Sequence, residues 1–142
     1  MTPKADPGKL QAMGTGGSSP TVLVVEDEAA LRSGIRRLLE DAGYTVMEAE
    51  NGATALGLLE DTASERIDLV LTDLRMPVMD GRQLASALAR QHPSLPVVFM
   101  SGFTAQLMDL RLISPNLAFL AKPFRNEDLL SAVRAQLAPS AE

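Results

Sequence analysis

The sequence contains no cysteine and no tryptophan, one tyrosine, four phenylalanines and a single histidine in 142 residues. Without thiols neither a disulfide scaffold nor a thiolate metal site can form, and a reducing cytoplasm is the expected compartment. No apolar run approaches the roughly 20 residues of a membrane span, and the N-terminus lacks the apolar core of a signal peptide, so no membrane partner is expected. Positive charge is also short: 13 Lys and Arg stand against 18 Asp and Glu, a formal net charge of -5. The basic residues are scattered rather than grouped into a stripe, which argues against direct nucleic-acid binding. His92 precedes Pro93 at an expected helix end and is read as a surface residue, not as a phosphohistidine.

What is present suits one globular domain, with 46% hydrophobic residues supplying a single core. Residues 1–19 are rich in Gly, Pro, Ser and Thr and are expected to form a flexible arm or linker. Gly14-Thr15-Gly16-Gly17-Ser18-Ser19 invites a phosphate-loop reading, but such a loop follows a strand and opens a helix, whereas this one precedes the first strand. The domain is expected over 20–138, with a short tail at 139–142 that is too brief for an output domain.

From Pro20 onward, short apolar runs alternate with segments of helical period. Strands are expected at about 21–25, 44–48, 68–72, 96–100 and 117–121. The first intervening segment places Leu31, Ile35, Leu38 and Leu39 on one helical face, and Gly43 closes it as a C-terminal cap. A second helix carries Leu56, Leu59 and Ala63, and a third, capped by Asp80, carries Leu84 and Leu88. A short fourth helix with Leu107, Leu110 and Arg111 and a last one capped by Asn126, with Leu129, Leu130, Val133 and Leu137, complete the pattern. Near-continuous apolar strands require burial on both faces. The expected fold is therefore α/β, a doubly wound five-stranded parallel sheet of flavodoxin-like order 2-1-3-4-5 with helices on both faces. The run at 44–48 is the least apolar and suits an edge.

That order makes strands 1 and 3 neighbours at the switch point, where ligands bind outside the carboxyl ends. Val22-Leu23-Val24-Val25 delivers Glu26 and Asp27 there, and Leu69-Val70-Leu71-Thr72 delivers Asp73. Strands 4 and 5 end on Ser101 and Lys122 at the same edge. Two carboxylates about 5 Å apart repel by roughly 3 kcal/mol at an effective dielectric of about 20, so three of them with one lysine call for a cation. Oxygen ligands without His or Cys select Mg²⁺, which keeps part of its octahedron for water and phosphate oxygens. A metal so held, with a lysine and a hydroxyl nearby, makes a cradle for a phosphoryl group, and Asp73 at its centre is placed to attack phosphorus. The bland alternatives are that Asp27 and Asp80 only cap helices, that Ser101 is a turn residue and that Lys122 is a solvated surface lysine; capping is the preferred reading for Asp80 alone.

Val24-Val25-Glu26-Asp27-Glu28, Thr72-Asp73-Leu74-Arg75-Met76-Pro77-Val78-Met79-Asp80-Gly81, Met100-Ser101-Gly102 and Ala121-Lys122-Pro123-Phe124 together resemble the receiver domain of two-component response regulators, over about Pro20 to Leu137. The resemblance implies that Asp73 is the phosphoacceptor, taking its phosphoryl group from a phosphohistidine on a sensor histidine kinase or histidine phosphotransfer protein. It implies Asp27 as a direct Mg²⁺ ligand, Glu26 as a second acid acting mainly through water, and the Arg75 main-chain carbonyl as a further ligand. Ser101 matches the hydroxyl that binds the phosphoryl group, and Lys122 the lysine that pairs with it. Phe119 stands where receivers often place a switching tyrosine, Glu26 is one methylene longer than the commoner aspartate, and Gly102 replaces a frequent alanine. The stretches around Ser101 and Lys122 are similar to receivers attached to hybrid sensor kinases.

The implied function is a phosphorylation switch acting through the face made by the fourth helix, the fifth strand and the last helix, in a monomer or a phosphorylation-dependent dimer. Such a protein is not a turnover enzyme in the usual sense: it phosphorylates itself from a donor and loses the group by autodephosphorylation. Two other readings stand beside it. A haloacid-dehalogenase-type phosphatase carries Asp-x-Asp, but here Arg75 stands two residues after Asp73. A non-phosphorylated pseudo-receiver scaffold would have lost the chemistry, whereas the acceptor, metal and lysine positions here are all competent.

Overall fold

The apolar runs become the strands of one parallel sheet in the computed structural model, which describes residues 19–61, 67–74, 78–79, 81–102 and 118–137. The strands are β1 (Thr21–Val25), β2 (Thr45–Ala49), β3 (Leu69–Asp73), β4 (Val97–Ser101) and β5 (Ala118–Ala121). The helices are α1 (Ala29–Asp41), α2 (Gly52–Glu60), α3 (Gly81–Gln91) and α4 (Asn126–Leu137). Sheet order is β2-β1-β3-β4-β5 with every pairing parallel, as expected for the doubly wound class. The expected helix with Leu107, Leu110 and Arg111 lies outside the described residues, as do Ala63, Asp80, nearly all of the arm and the tail. No helix among the described residues is long and apolar enough to cross a membrane.

Strand alternation sorts the core into two layers. Leu23, Val25, Val70, Val97 and Phe99 face Ala55 of α2 and Leu84, Ala85 and Leu88 of α3. Val22, Val24, Leu69, Leu71, Val98 and Met100 face Ile35 and Leu39 of α1 and Leu129 and Val133 of α4. Every residue of β3 and β4 is buried, whereas in β2 Thr45 is exposed and Met47 and Glu48 are only half-buried, as suits an edge strand.

Two helix ends follow from local chemistry. Gly43, at φ +101°, ends α1 in a Schellman arrangement, with Tyr44 N–H donating to the Leu39 carbonyl at 3.0 Å and Gly43 N–H to the Glu40 carbonyl at 3.0 Å. Asn51 caps α2 by accepting from Thr54 N–H at 2.9 Å. The start of α4 differs from expectation: Asn126 is its first helical residue, and the side-chain bond at this end runs from Arg125 N–H to Asp128 Oδ2 at 3.0 Å, because an acid three residues into a helix can reach back to the cap.

Strands β2 to β4 each run one residue later than the apolar pattern suggests, so Asp73 and Ser101 are the last residues of their strands. Their neighbours continue the ladder, Leu74 N–H donating to the Met100 carbonyl at 3.1 Å and Lys122 N–H to the Ser101 carbonyl at 2.9 Å. The carboxyl edge is therefore tied across three strands.

Gly52 locks α2 against the segment that follows β3. Its N–H donates to the Met79 carbonyl at 3.1 Å, and a Cβ there would stand 2.9 Å from that carbonyl and 2.8 Å from Met79 Cγ. Gly52→Ala forces backbone apart and is expected to lower unfolding free energy by about 1–3 kcal/mol despite alanine's better helix propensity. Urea denaturation checks this; a variant as stable as wild type would mean that the contact yields freely.

Candidate functional site

Four strand ends lie side by side at the carboxyl edge of the sheet. Beyond Val25, Glu26 makes a last sheet-like bond, its N–H donating to the Ala49 carbonyl at 3.0 Å. Its side chain turns inward and is 1% exposed, with Oε2 accepting from Glu28 N–H at 3.1 Å. Glu26 Oε1 is fully enclosed and has no hydrogen-bond partner among the described residues. Asp27, the next residue, is exposed at the rim. Asp73 is buried at the end of β3, and Thr72 Oγ1 donates to its carbonyl at 2.9 Å.

Lys122 leaves the end of β5 and places Nζ 3.2 Å from Asp73 Oδ2 and 3.5 Å from Glu26 Oε1. Oxygens of Glu26, Asp27 and Asp73 lie within 4.8 Å of one another. Ser101 is buried at the end of β4, opposite Ala121 in the ladder. The structure thus gathers Glu26, Asp27, Asp73 and Lys122, with Ser101 on the adjoining strand. Phe119 lies on β5, partly buried against the α2 and α3 side of the core and opposite Phe99. Arg75 lies outside the described residues.

Charge is crowded here. Burial pushes the Glu26 carboxyl up; the Glu28 N–H draws it down, Asp73 raises it, Lys122 lowers it and Asp27 raises it, leaving it at about 7. An enclosed carboxylate oxygen that makes no hydrogen bond and has the Lys122 ammonium no nearer than 3.5 Å, with two more carboxylates within reach and no sulfur or nitrogen ligand in the cluster, fits a hard divalent cation.

Without a bound cation, the raised Glu26 pKa couples folding to pH. The folded state holds the Glu26 proton up to about pH 7, whereas the unfolded chain releases it near 4.5. Its stabilisation is therefore complete below about 4.5 and is lost as pH rises to about 7, at no more than roughly 1.4 kcal/mol per pH unit. Urea titrations with a chelator between pH 5 and 8 should show stability falling with pH in wild type and a flatter profile in Glu26→Gln. Identical profiles would rule out Glu26 as the titrating group.

Sequence patterns did not single out Arg32, whose Nη1 donates to the Glu26 carbonyl at 2.6 Å and Nε to Glu48 Oε1 at 3.0 Å. No motif marks it; the only signal is its place in the second turn of the helix that follows the acidic pair. The Gly52–Met79 contact was equally invisible, since it joins segments distant in sequence.

Comparison with known proteins gives this edge a context. The family model described as the response regulator receiver domain matches residues 22–134. The sensor kinase CckA of Brucella abortus is 40% identical over 120 residues, which are 84% of this chain and 13% of that kinase. The response regulator receiver protein CpdR of the same organism is 36% identical over 117 residues, 82% of this chain and 95% of CpdR. A crystal structure of the receiver domain from the hybrid histidine kinase CckA superposes with a TM-score of 0.70 at 36% identity, covering 83% of this chain and 99% of that domain. The chain therefore spans a small part of one relative and nearly all of the other. None of these matches supports a phosphatase or a scaffold without phosphorylation chemistry. With its five-stranded order, its acidic strand ends and a match across most of its length, the chain belongs to the family of phosphorylation-dependent signalling receivers, the response regulator receiver domains.

Proposed function

We propose that Asp73 accepts the phosphoryl group, from a phosphohistidine carried by a sensor kinase or a phosphotransfer protein. The observation that carries this reading is the Asp73 carboxylate at the sheet edge, 3.2 Å from Lys122 Nζ and within 4.8 Å of the other two acids. An Asp73 oxygen attacks phosphorus, the phosphorus–nitrogen bond breaks, and the leaving imidazole takes the electron pair and a proton from solvent. Lys122 holds the Asp73 side chain and meets the negative charge of the incoming oxygens. Glu26 and Asp27, with the Arg75 carbonyl, would hold Mg²⁺ beside Asp73. The ion, when bound, neutralises phosphoryl charge as it develops.

The product stays on the protein, which makes the reaction a switch. Ser101 closes on the new oxygens, Phe119 moves inward behind it, and the surface around β5 and α4, together with the segment before β5, changes its affinity for a partner. The working unit is the receiver domain over 20–138, acting in the cytoplasm. Intact mass spectrometry after incubation with acetyl phosphate and Mg²⁺, followed by peptide mapping, tests the assignment. One phosphoryl group on Asp73, absent when a chelator replaces Mg²⁺, is expected. An unmodified wild type, or modification elsewhere, would sink it.

A further inference from the structure

We propose that Arg32 is a positioning residue for the acidic cluster: its guanidinium clamps the peptide joining Glu26 to Asp27, and so sets how those two carboxylates meet a divalent cation. The inference rests on the cation-binding reading of the site given above.

Glu26 is where the chain leaves the sheet. Its N–H is the last of β1 to find a ladder partner, at the Ala49 carbonyl, and its own carbonyl is bonded by a side chain rather than by a neighbouring strand. A buried carbonyl without a donor costs about 1–3 kcal/mol, and an unheld peptide plane would let the carboxylates on either side of it turn. Arg32 Nη1 supplies the donor at 2.6 Å. The first backbone bond of α1, from Arg32 N–H to the Glu28 carbonyl at 2.9 Å, fixes the helix start from which the guanidinium reaches back, and Glu28 N–H in turn holds Glu26 Oε2 at 3.1 Å. Glu26, Glu28 and Arg32 thus close a ring of three hydrogen bonds in which one member is a cation ligand.

The ring is anchored from outside. Arg32 Nε donates to Glu48 Oε1 at 3.0 Å, and Glu48 stands on β2 opposite Val24 of β1. Glu48 also pairs with Arg36, which reaches on to Glu40 Oε2 at 3.0 Å. Burial alone would raise the Glu48 carboxyl, but the hydrogen bonds from Arg36 and Arg32 outweigh it and hold the group below the usual range. Glu48 therefore stays ionised and balances the Arg32 charge, so a cation can sit near the guanidinium with little repulsion. Hydrogen bonds behind metal ligands commonly set metal affinity by 10-fold or more, although they never touch the ion.

The sign of the effect separates positioning from the two simpler roles. If Arg32 acted only through its charge, removing it would tighten cation binding. If it only latched α1 to β2, removing it would lower stability and leave cation affinity alone. Positioning requires weaker binding. Mg²⁺ titration calorimetry at pH 8, where Glu26 is ionised, is run on wild type, Arg32→Gln, Arg32→Lys and Arg36→Gln. The expected result is a Kd raised about 10-fold in Arg32→Gln, by less in Arg32→Lys, and unchanged in Arg36→Gln, which breaks the outer ion pairs without touching Glu26. Half-maximal phosphorylation should need correspondingly more Mg²⁺ in Arg32→Gln, while the rate at saturating Mg²⁺ stays near that of wild type.

An Arg32→Gln protein that binds Mg²⁺ as tightly as wild type, or more tightly, overturns the proposal. Should Arg32→Gln fail to fold, wild-type affinity in Arg32→Lys overturns it equally. A wild type that binds no Mg²⁺ removes the cation reading and this inference with it, whereas a binding wild type matched by its Arg32 variants removes this inference alone.

Discussion

Asp73→Asn is expected to yield a folded protein that takes up no phosphoryl group from acetyl phosphate, where wild type takes up one. Asparagine keeps the shape of the side chain, and its carbonyl can still accept from Lys122. Its amide, however, has no oxygen with the charge needed to attack phosphorus, so loss should be complete rather than partial. The substitution also changes stability in a direction that a mere structural defect would not. Asp73 repels two carboxylates and attracts one ammonium, and its charge is one of the forces raising Glu26. Removing that charge is expected to stabilise the metal-free protein by about 1 kcal/mol while weakening Mg²⁺ binding. Mass spectrometry and urea denaturation with chelator read the two effects. Persisting phosphorylation would mean that another residue is the acceptor, and a clear loss of stability would mean that the three acids are not in electrostatic conflict.

Lys122→Ala is the second large change. A positive group aimed at oxygens that gain charge during transfer contributes on the order of 10²- to 10³-fold in rate, so phosphorylation at saturating Mg²⁺ should slow by about that factor. Mg²⁺ affinity should not fall with it. With the ammonium gone, the acids carry more uncompensated charge, and a cation should bind as well or better. The metal-free protein should be less stable at neutral pH, because the ammonium 3.5 Å from the enclosed Glu26 oxygen is lost. A stopped reaction sampled by mass spectrometry, with calorimetry for the metal, separates these outcomes. A phosphorylation rate within a few-fold of wild type would reduce Lys122 to a structural ion pair.

Asp73 is legible in the chain alone, since an apolar run that ends on a carboxylate before Pro77 places that carboxylate at a strand mouth wherever the sheet forms. The sheet order is nearly as legible, because buried parallel strands joined by helices leave few topologies open. Ladder ends are less so. β3 and β4 begin and end one residue later than the apolar runs alone suggest, since the pairing of Asp73 and Ser101 depends on what Met100 and Ala121 offer across the sheet. The start of α4 is a similar case: Asn126 is a good cap by type, but it is the first helical residue, and Arg125 N–H donates to Asp128.

The order of elements, the two-sided core and the identity of the residues carried to the carboxyl edge were determined by the sequence itself, through periods of two and 3.6 that act over a few residues. The tertiary structure alone decided which groups touch: Lys122 Nζ beside both Glu26 and Asp73, an enclosed Glu26 oxygen, Gly52 against Met79, and Arg32 on the Glu26 carbonyl. Each of those contacts depends on where a side chain or peptide plane comes to rest after packing. A hydrogen bond is decided by tenths of an ångström and the charge state of Glu26 by burial, neither of which a local pattern contains.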